Sequence, residues 1–270
     1  MAVNQDDDNV SLPSCQDPAD YDSEADVSLP SLPSDDDGMA AEEPQDDIAE
    51  FYSPPRVVPV ANQYGLKGAL SLDITTGCDF LVEERRDTSI KYLLEPGVRV
   101  LLLSPPCQVF SVLQEPWNLK RADPVAWAKK WKIGMALLEH ACMAAQTQID
   151  TNNFFVLEHP VNATSWRQPI VKDLMNQKSV KSVVFDQCCF GAKTKVAGKP
   201  VRKRTRLLTN SEVVLSLFKN RICKVGHIHQ HLQGREGGSR RTEWAQIYPA
   251  PLCAAFAQCA YQHASSSCAI

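Results

Sequence analysis

The pattern of apolar and polar positions changes once along this chain, near Ile48. Upstream, Pro, Ser and Asp break every periodicity; downstream, short apolar runs are punctuated by loops. Ala69-Leu-Ser-Leu-Asp73 predicts a short strand, and Val98–Leu103 a buried one ending at Ser104-Pro-Pro106. Pro124 to about Ile149 is rich in Ala, Leu, Met, Lys and Trp without an internal Pro, which predicts a long helix with Pro in its first turn. Asn153–Leu157 predicts a further buried strand, closed by Glu158-His-Pro160. Trp166–Gln177 reads as a helix, Ser182–Asp186 and Thr205–Thr209 as strands, and Pro249–His263 as a last helix. Strands alternating with helices predict an α/β domain on a mainly parallel sheet.

Charge divides the chain at the same place. The formal net charge of −4 averages two unlike parts. Residues 1–50 hold sixteen Asp and Glu and no Lys or Arg, whereas the rest holds all 28 basic residues against sixteen acids, a surplus of +12. An acidic leader so poor in apolar residues cannot bury enough surface to offset its ordering entropy, so residues 1–46 are expected to be disordered. Within it Val10-Ser-Leu-Pro-Ser14 recurs as Val27-Ser-Leu-Pro-Ser31, and Ser23 and Ser34, each followed by acids, suit an acid-directed kinase. Such strings also arise freely in acidic tails. The remainder, 47–264 with a short tail at 265–270, is large enough for a proper core. No apolar run approaches the roughly 18 residues of a membrane span, and no secretory signal is legible. The ten Cys lack the regular spacing of a disulfide scaffold and read as mostly reduced thiols of an intracellular protein.

In open α/β sheets ligands lie beyond the carboxyl ends of the strands. One predicted strand delivers Ser104-Pro105-Pro106-Cys107-Gln108, another Glu158, and a third carries Arg202, Arg204 and Arg206, so a thiol, a carboxylate and guanidinium groups could share one rim. Pro105-Pro-Cys107-Gln-Val-Phe110-Ser111 closely resembles the Pro-Cys-Gln-x-Phe-Ser nucleophile loop of DNA cytosine-5 methyltransferases. Glu158-His-Pro160 stands where that family has Glu-Asn-Val. Phe185-Asp-Gln-Cys-Cys-Phe190-Gly191 and Arg204-Thr-Arg206-Leu-Leu208 resemble its aromatic-Gly and Arg-x-Arg-apolar block, in the same order. The closer likeness is to a divergent branch of methyltransferase-like domains in eukaryotic transposon-type polyproteins. Its Lys-Arg-Thr-x-Leu-Leu-Thr-Asn and Tyr-Pro-x-x-Leu-Cys endings stand here as Lys203–Asn210 and Tyr248–Cys253. The resemblance covers roughly residues 48–262.

It implies a Rossmann-like methyltransferase fold, S-adenosylmethionine as cofactor, and nucleic acid, DNA before RNA, as partner. Location would be nuclear if the target is chromosomal. Cys107 would add to cytosine C6, Glu158 would bond the ring N3, and Arg206 with Arg204 would hold the carbonyl oxygen of a flipped-out base. The plainer alternatives are a small buried Cys in a Pro-rich turn and a strand-end carboxylate paired with cations. For the cofactor, Glu50, Tyr52 and Ser53 stand at the family's acidic-Phe-x-Gly-x-Gly loop, and Ser104 and Pro105, which follow the next buried strand, are counted with them. Here that loop continues as Pro54-Pro55, which has no backbone N–H to offer and cannot take positive φ. Asp73, twenty residues beyond Ser53, is placed as a ribose-binding acid, and Asp79 is a second pocket carboxylate; either could instead serve a turn.

Two further features bear on partners. Lys193–Arg206 holds seven basic residues and no acid, which suits phosphate contact with little sequence readout, or else a solvated loop. Only about thirty residues separate Asn210 from Arg241, too few for the target-recognition domain of full-size relatives. Cys223-x3-His227-x-His229-x-His231, with Cys188 or Cys189, makes zinc conceivable, but no Cys-x2-Cys half-site accompanies it. The segment is therefore read as a His-lined loop and no metal is assigned. Trp127 and Trp131, four apart on the long helix, read as core anchors. The functional expectation is cytosine-5 methyl transfer, with a non-catalytic nucleic-acid-binding module of a mobile-element polyprotein as its rival, and RNA methylation as a third reading. The acidic leader is expected to compete with nucleic acid for the basic domain.

Overall fold

Acidic residues do not keep Asp46–Phe51 from forming the first strand, β1, because the charged ones find partners at once. Asp46 lies 3.2 Å from the Lys67 ammonium and accepts a hydrogen bond from the Tyr92 hydroxyl. Asp47 accepts from the Lys67 backbone N–H at 2.8 Å. The ordered unit thus takes in Asp46, which the charge boundary had assigned to the leader. The computed structural model describes residues 45–111, 122–224, 226–232 and 234–267. The repeats, Ser23, Ser34 and the last three residues of the expected tail lie outside the described residues.

After β1 come α1 (Val58–Gln63), β2 (Gly68–Leu72), α2 (Glu83–Tyr92), β3 (Val98–Leu103), α3 (Pro124–Asp150) and β4 (Phe154–Pro160). Then follow α4 (Pro169–Met175), β5 (Lys181–Asp186), β6 (Arg204–Thr209), α5 (Glu212–Phe218), a small β7 (Arg235–Glu236) and β8 (Ser239–Arg240) ribbon, α6 (Arg241–Trp244) and α7 (Ala250–Ser267). The main sheet has six strands in the order β2-β1-β3-β4-β6-β5; β6 alone runs antiparallel to its neighbours. The fold is α/β with a mostly parallel sheet, compatible with a Rossmann-like arrangement.

Both faces of the sheet are covered, which is why its strands read as nearly continuous apolar runs. Alternate residues serve opposite cores. Ala49, Phe51, Leu101, Leu103, Phe155 and Leu157 belong to the core that includes α3 and α4 residues. Ile48, Val100, Leu102, Val156 and Leu207 belong to the one that includes residues of α1, α5 and α7. The chain leaves β1 towards β2 on one side and returns to β3 on the other, so the carboxyl ends of β1 and β3 diverge at a topological switch point.

Three elements depart from the pattern-based expectation. The expected Trp166–Gln177 helix is split: Thr164–Arg167 makes a 3-10 turn, Gln168 is extended before Pro169, and α4 starts at the proline. Crowding by the proline ring drives the preceding residue out of the helical region. Glu158 and His159 do not follow a strand but lie within β4, because β6 pairs with it through Pro160. The final helix continues through Ser267, so residues 265–267 of the expected tail are helical. No helix among the described residues is long and apolar enough to cross a membrane.

Candidate active site at the carboxyl ends of the parallel strands

The turn after β1 begins at Tyr52, whose φ of 62° is the left-handed conformation that the glycines of a Gly-rich loop adopt without strain. Its ring is tilted against Phe80 at 4.7 Å between centres, and its hydroxyl lies 2.6 Å from His140 Nδ1 and donates to the Leu137 carbonyl at 3.0 Å. The partly buried Tyr52 ring thus packs against the core. Glu50 is also committed: Oε1 accepts from the backbone N–H of Arg56, Val57 and Val58 at 2.7, 3.1 and 3.2 Å and from the Ser71 hydroxyl at 2.9 Å. A carboxylate accepting at the first amides of α1 caps them and complements the helix dipole. Its Oε2 is buried without a hydrogen-bond partner. Ser53 is buried, and its hydroxyl donates only to the adjacent Pro54 carbonyl.

Asp73 ends β2 and caps the 3-10 turn Ile74–Thr76, accepting from the Thr75 N–H and hydroxyl at 2.9 and 2.6 Å. Asp79 accepts from the Leu81 N–H at 2.8 Å. Both carboxylates thus have turn roles, each through Oδ1.

The loop after β3 is held from several sides. The Ser104 N–H donates to the Phe51 carbonyl at 3.2 Å, which ties β3 to β1 at the switch point. The Pro105 carbonyl lies 2.8 Å from His159 Nε2, and His159 Nδ1 lies 2.7 Å from the Ser165 hydroxyl. A carbonyl can only accept, so Nε2 carries the proton and Nδ1 accepts from Ser165. Burial depresses the His159 pKa and keeps the ring neutral. Cys107 opens the 3-10 turn Gln108–Phe110, which packs on α3 where Gly134 leaves room for Val109.

Around the half-buried Cys107 stand Glu158 and Lys203. The Lys203 ammonium is 3.6 Å from Glu158 Oε1 and 5.9 Å from the centre of the Tyr248 ring. The Tyr248 hydroxyl lies 2.7 Å from Ser104 Oγ. Burial pushes the Cys107 thiol up, Lys203 pulls it down and Glu158 pushes it up again, with a net rise. Burial, reinforced by Glu158, holds the Tyr248 hydroxyl protonated. A thiol, a carboxylate, an ammonium and a phenol therefore meet on one face of the sheet. Lys203 and Tyr248 were not singled out from the sequence. Their only signal there was membership of the two recurrent end motifs.

The two expected arginines lie elsewhere. Arg204 makes a two-pronged pair with the fully buried Asp186, at 2.8 and 3.0 Å, and Arg202 joins at 3.1 Å. Register places Glu158 opposite Leu207 and His159 opposite Arg206. Glu158 and Arg206 thus point to opposite faces, and the Arg206 guanidinium lies 5.3 Å from the Trp166 ring centre. The structure brings Cys107, Glu158 and Ser104 together and leaves Arg204 and Arg206 outside that group. A depression of about 670 Å³ lined by Tyr64, Phe190, Arg221 and Tyr261, among others, lies away from the thiol. Trp131 packs edge-on against Phe110 at 5.4 Å, as a core anchor should.

A second cluster forms beyond β5, where ligand atoms of Cys188, Cys223, His227 and His229 all lie within 4.8 Å of one another. No protein-family model matches the chain, and no curated protein is significantly similar to it.

Proposed function

We propose that this chain is a divergent methyltransferase-like domain of the DNA cytosine-5 type, with Cys107 as its nucleophile and S-adenosylmethionine as its methyl donor. One observation carries the reading: Cys107, Glu158, Lys203 and Tyr248 converge at the carboxyl ends of β3 and β4, beside the switch point where such sheets bind ligands. The donor's fit rests on the acceptors bordering that crevice. Glu50 Oε2 is buried without a partner and suits the ammonium end, and Asp73 closes β2 where a ribose hydroxyl is expected. When bound, S-adenosylmethionine supplies an electrophilic methyl group on sulfonium.

The chain's own residues prepare the base. With the cytosine out of the stack, Glu158 takes the Cys107 proton and passes it to ring N3. The thiolate adds at C6, and the electron pair displaced from the C5–C6 bond makes C5 nucleophilic. Lys203, on the same face as Glu158, serves the carbonyl oxygen in place of Arg206. His159 positions the loop through Pro105. Trapping on duplex DNA containing 5-fluorocytosine, with cofactor, is expected to give a covalent adduct that Cys107→Ala abolishes; no adduct with the wild type would sink the proposal.

A second reading, a nucleic-acid-binding module without catalysis, has its own warrant. Arg56 Nη1 donates to the Gln246 carbonyl at 2.8 Å and the Tyr248 hydroxyl meets Ser104 Oγ at 2.7 Å, so the 246–248 segment is tied to the loops after β1 and β3. If titration finds no S-adenosylmethionine binding while salt-sensitive DNA binding persists, that reading prevails.

A further inference from the structure

Between α5 and β7 the described residues form no helix or strand, yet they bring two imidazoles and a thiol to one point. His227 and His229 are two apart in sequence, and their rings meet edge-on with centres 4.4 Å apart. Their Nε2 atoms are 2.9 Å apart, Cys223 Sγ is 3.6 Å from His227 Nε2, and Cys188 Sγ is 3.3 Å from His229 Nε2. A tetrahedral zinc ion with bonds of about 2.3 Å to sulfur and about 2.0 Å to nitrogen sets its ligands roughly 3.3–3.8 Å apart. The spacings found here differ from those by at most a few tenths of an ångström at these contacts. Two thiols and two imidazoles form a closed donor set that selects zinc over the hard cations.

We propose that Cys188, Cys223, His227 and His229 bind one structural zinc ion. This proposal departs from the expectation of a His-lined loop with no metal assigned, and it sorts the candidates: Cys188 and not Cys189, His229 and not His231. Each thiol gives its proton to solvent as it binds, so the two thiolates balance the charge of the ion and affinity falls as pH drops.

The site staples the turn after β5 to the 221–231 segment, and both anchor the basic run. Asp186 accepts from the Cys223 N–H at 3.0 Å while holding Arg202 and Arg204, and the Gln230 N–H donates to the Pro200 carbonyl at 2.8 Å. Zinc would therefore order the segment that carries Lys203 to Glu158, without touching Cys107. The inference is independent of the methyl-transfer reading, because it needs neither cofactor nor DNA.

The full chain, purified under reducing conditions without chelator, is expected to carry one zinc per chain by elemental analysis. Cobalt exchanged into it should give the visible spectrum of a tetrahedral ion with thiolate ligands. Cys188→Ser, Cys223→Ser and His229→Asn should each lose most of the zinc, whereas Cys189→Ser and His231→Asn should keep it. Chelation should expose 192–203 to proteolysis. Wild-type chain without stoichiometric zinc and without a tetrahedral cobalt spectrum overturns the site, even where a variant fails to fold. Equal zinc loss in the Cys189 and His231 controls overturns the assignment of ligands.

Discussion

At the scale of single residues, charge and burial act on Cys107 together. Its raised thiol pKa leaves little thiolate at neutral pH, so alkylation by iodoacetamide should be slow and should climb through the alkaline range. Lys203→Met should slow it about three- to tenfold and Glu158→Gln should speed it comparably. Equal rates in both variants would show that neither charge reaches the sulfur. Two buried histidines give a second readout. His140 Nε2 lies 3.0 Å from the Ser89 hydroxyl, which donates to the Arg86 carbonyl, and Nδ1 lies 2.6 Å from the Tyr52 hydroxyl, which donates to the Leu137 carbonyl. Burial lowers His140 to about 4 and likewise His263, stacked 3.7 Å from Phe154, to about 4. Above pH ~6.5 both are neutral, folded or unfolded. Below it the unfolded chain binds protons that the folded one refuses, so stability falls as pH drops from ~6.5 to ~4, by at most about 1.4 kcal/mol per pH unit for each ring. Thermal melts across that window should show the decline, and a flat profile would remove both histidines from the account. Glu158 was legible as a candidate, but its face was not. Side-chain parity along β4 and β6 depends on their mutual register, which local pattern does not contain.

At the scale of elements, α3 and the Cys107 turn meet through the absence of a side chain. A Cβ on Gly134 would come 2.3 Å from Val109 Cγ2, and a β-branched valine cannot swing aside cheaply. Alanine normally stabilises a helix interior, yet Gly134→Ala should cost about 1–3 kcal/mol and lower adduct yield. Val109→Ala in the same chain should restore part of both. A stabilised Gly134→Ala would mean that the turn packs elsewhere. Asp186 joins β5, β6 and the segment that begins at Cys223. Burial opposes its charge, but the hydrogen bonds from Arg204 and the Cys223 N–H, with the Arg202 charge, hold its carboxyl below the usual range. Asp186→Asn should cost about 3 kcal/mol in denaturant unfolding, because two cations lose their shared anion. Legibility among elements followed local signal. α3 announced itself by 27 residues of helix formers behind a capping Asp123 and Pro124. α2 did not, because EERRDTSIKY has no apolar stripe and buries only Ser89. α1 is short and has a proline inside its first turn.

At the scale of the whole molecule, the charge division moves by a few residues and keeps its sense. With Asp46, Asp47 and Glu50 assigned to β1, residues 1–44 keep thirteen acids and no base, and 45–270 hold 28 bases against nineteen acids. Removing residues 1–43 should tighten DNA binding several-fold at low salt, with the difference fading as salt screens it. Unchanged affinity at low salt would dismiss the leader as a competitor. The cut spares Gln45, whose side chain donates to Asn153 Oδ1 at 2.8 Å.

Local composition alone determined much of this protein. Apolar runs made five of the six main-sheet strands recognisable but not β1, proline marked the start of the long helix, and the Pro-Pro-Cys-Gln run singled out Cys107. Tertiary structure decided which side chains share a face and which distant residues complete each cluster. Tyr248 reaches Ser104 across 144 residues of chain, the antiparallel return of β6 accompanies Lys203 beside Glu158, and the turn after β5 chooses Cys188 over Cys189. Hydrophobic periodicity is a property of neighbours in sequence. Alternation between faces becomes a site only when strands from remote parts of the chain settle into one register.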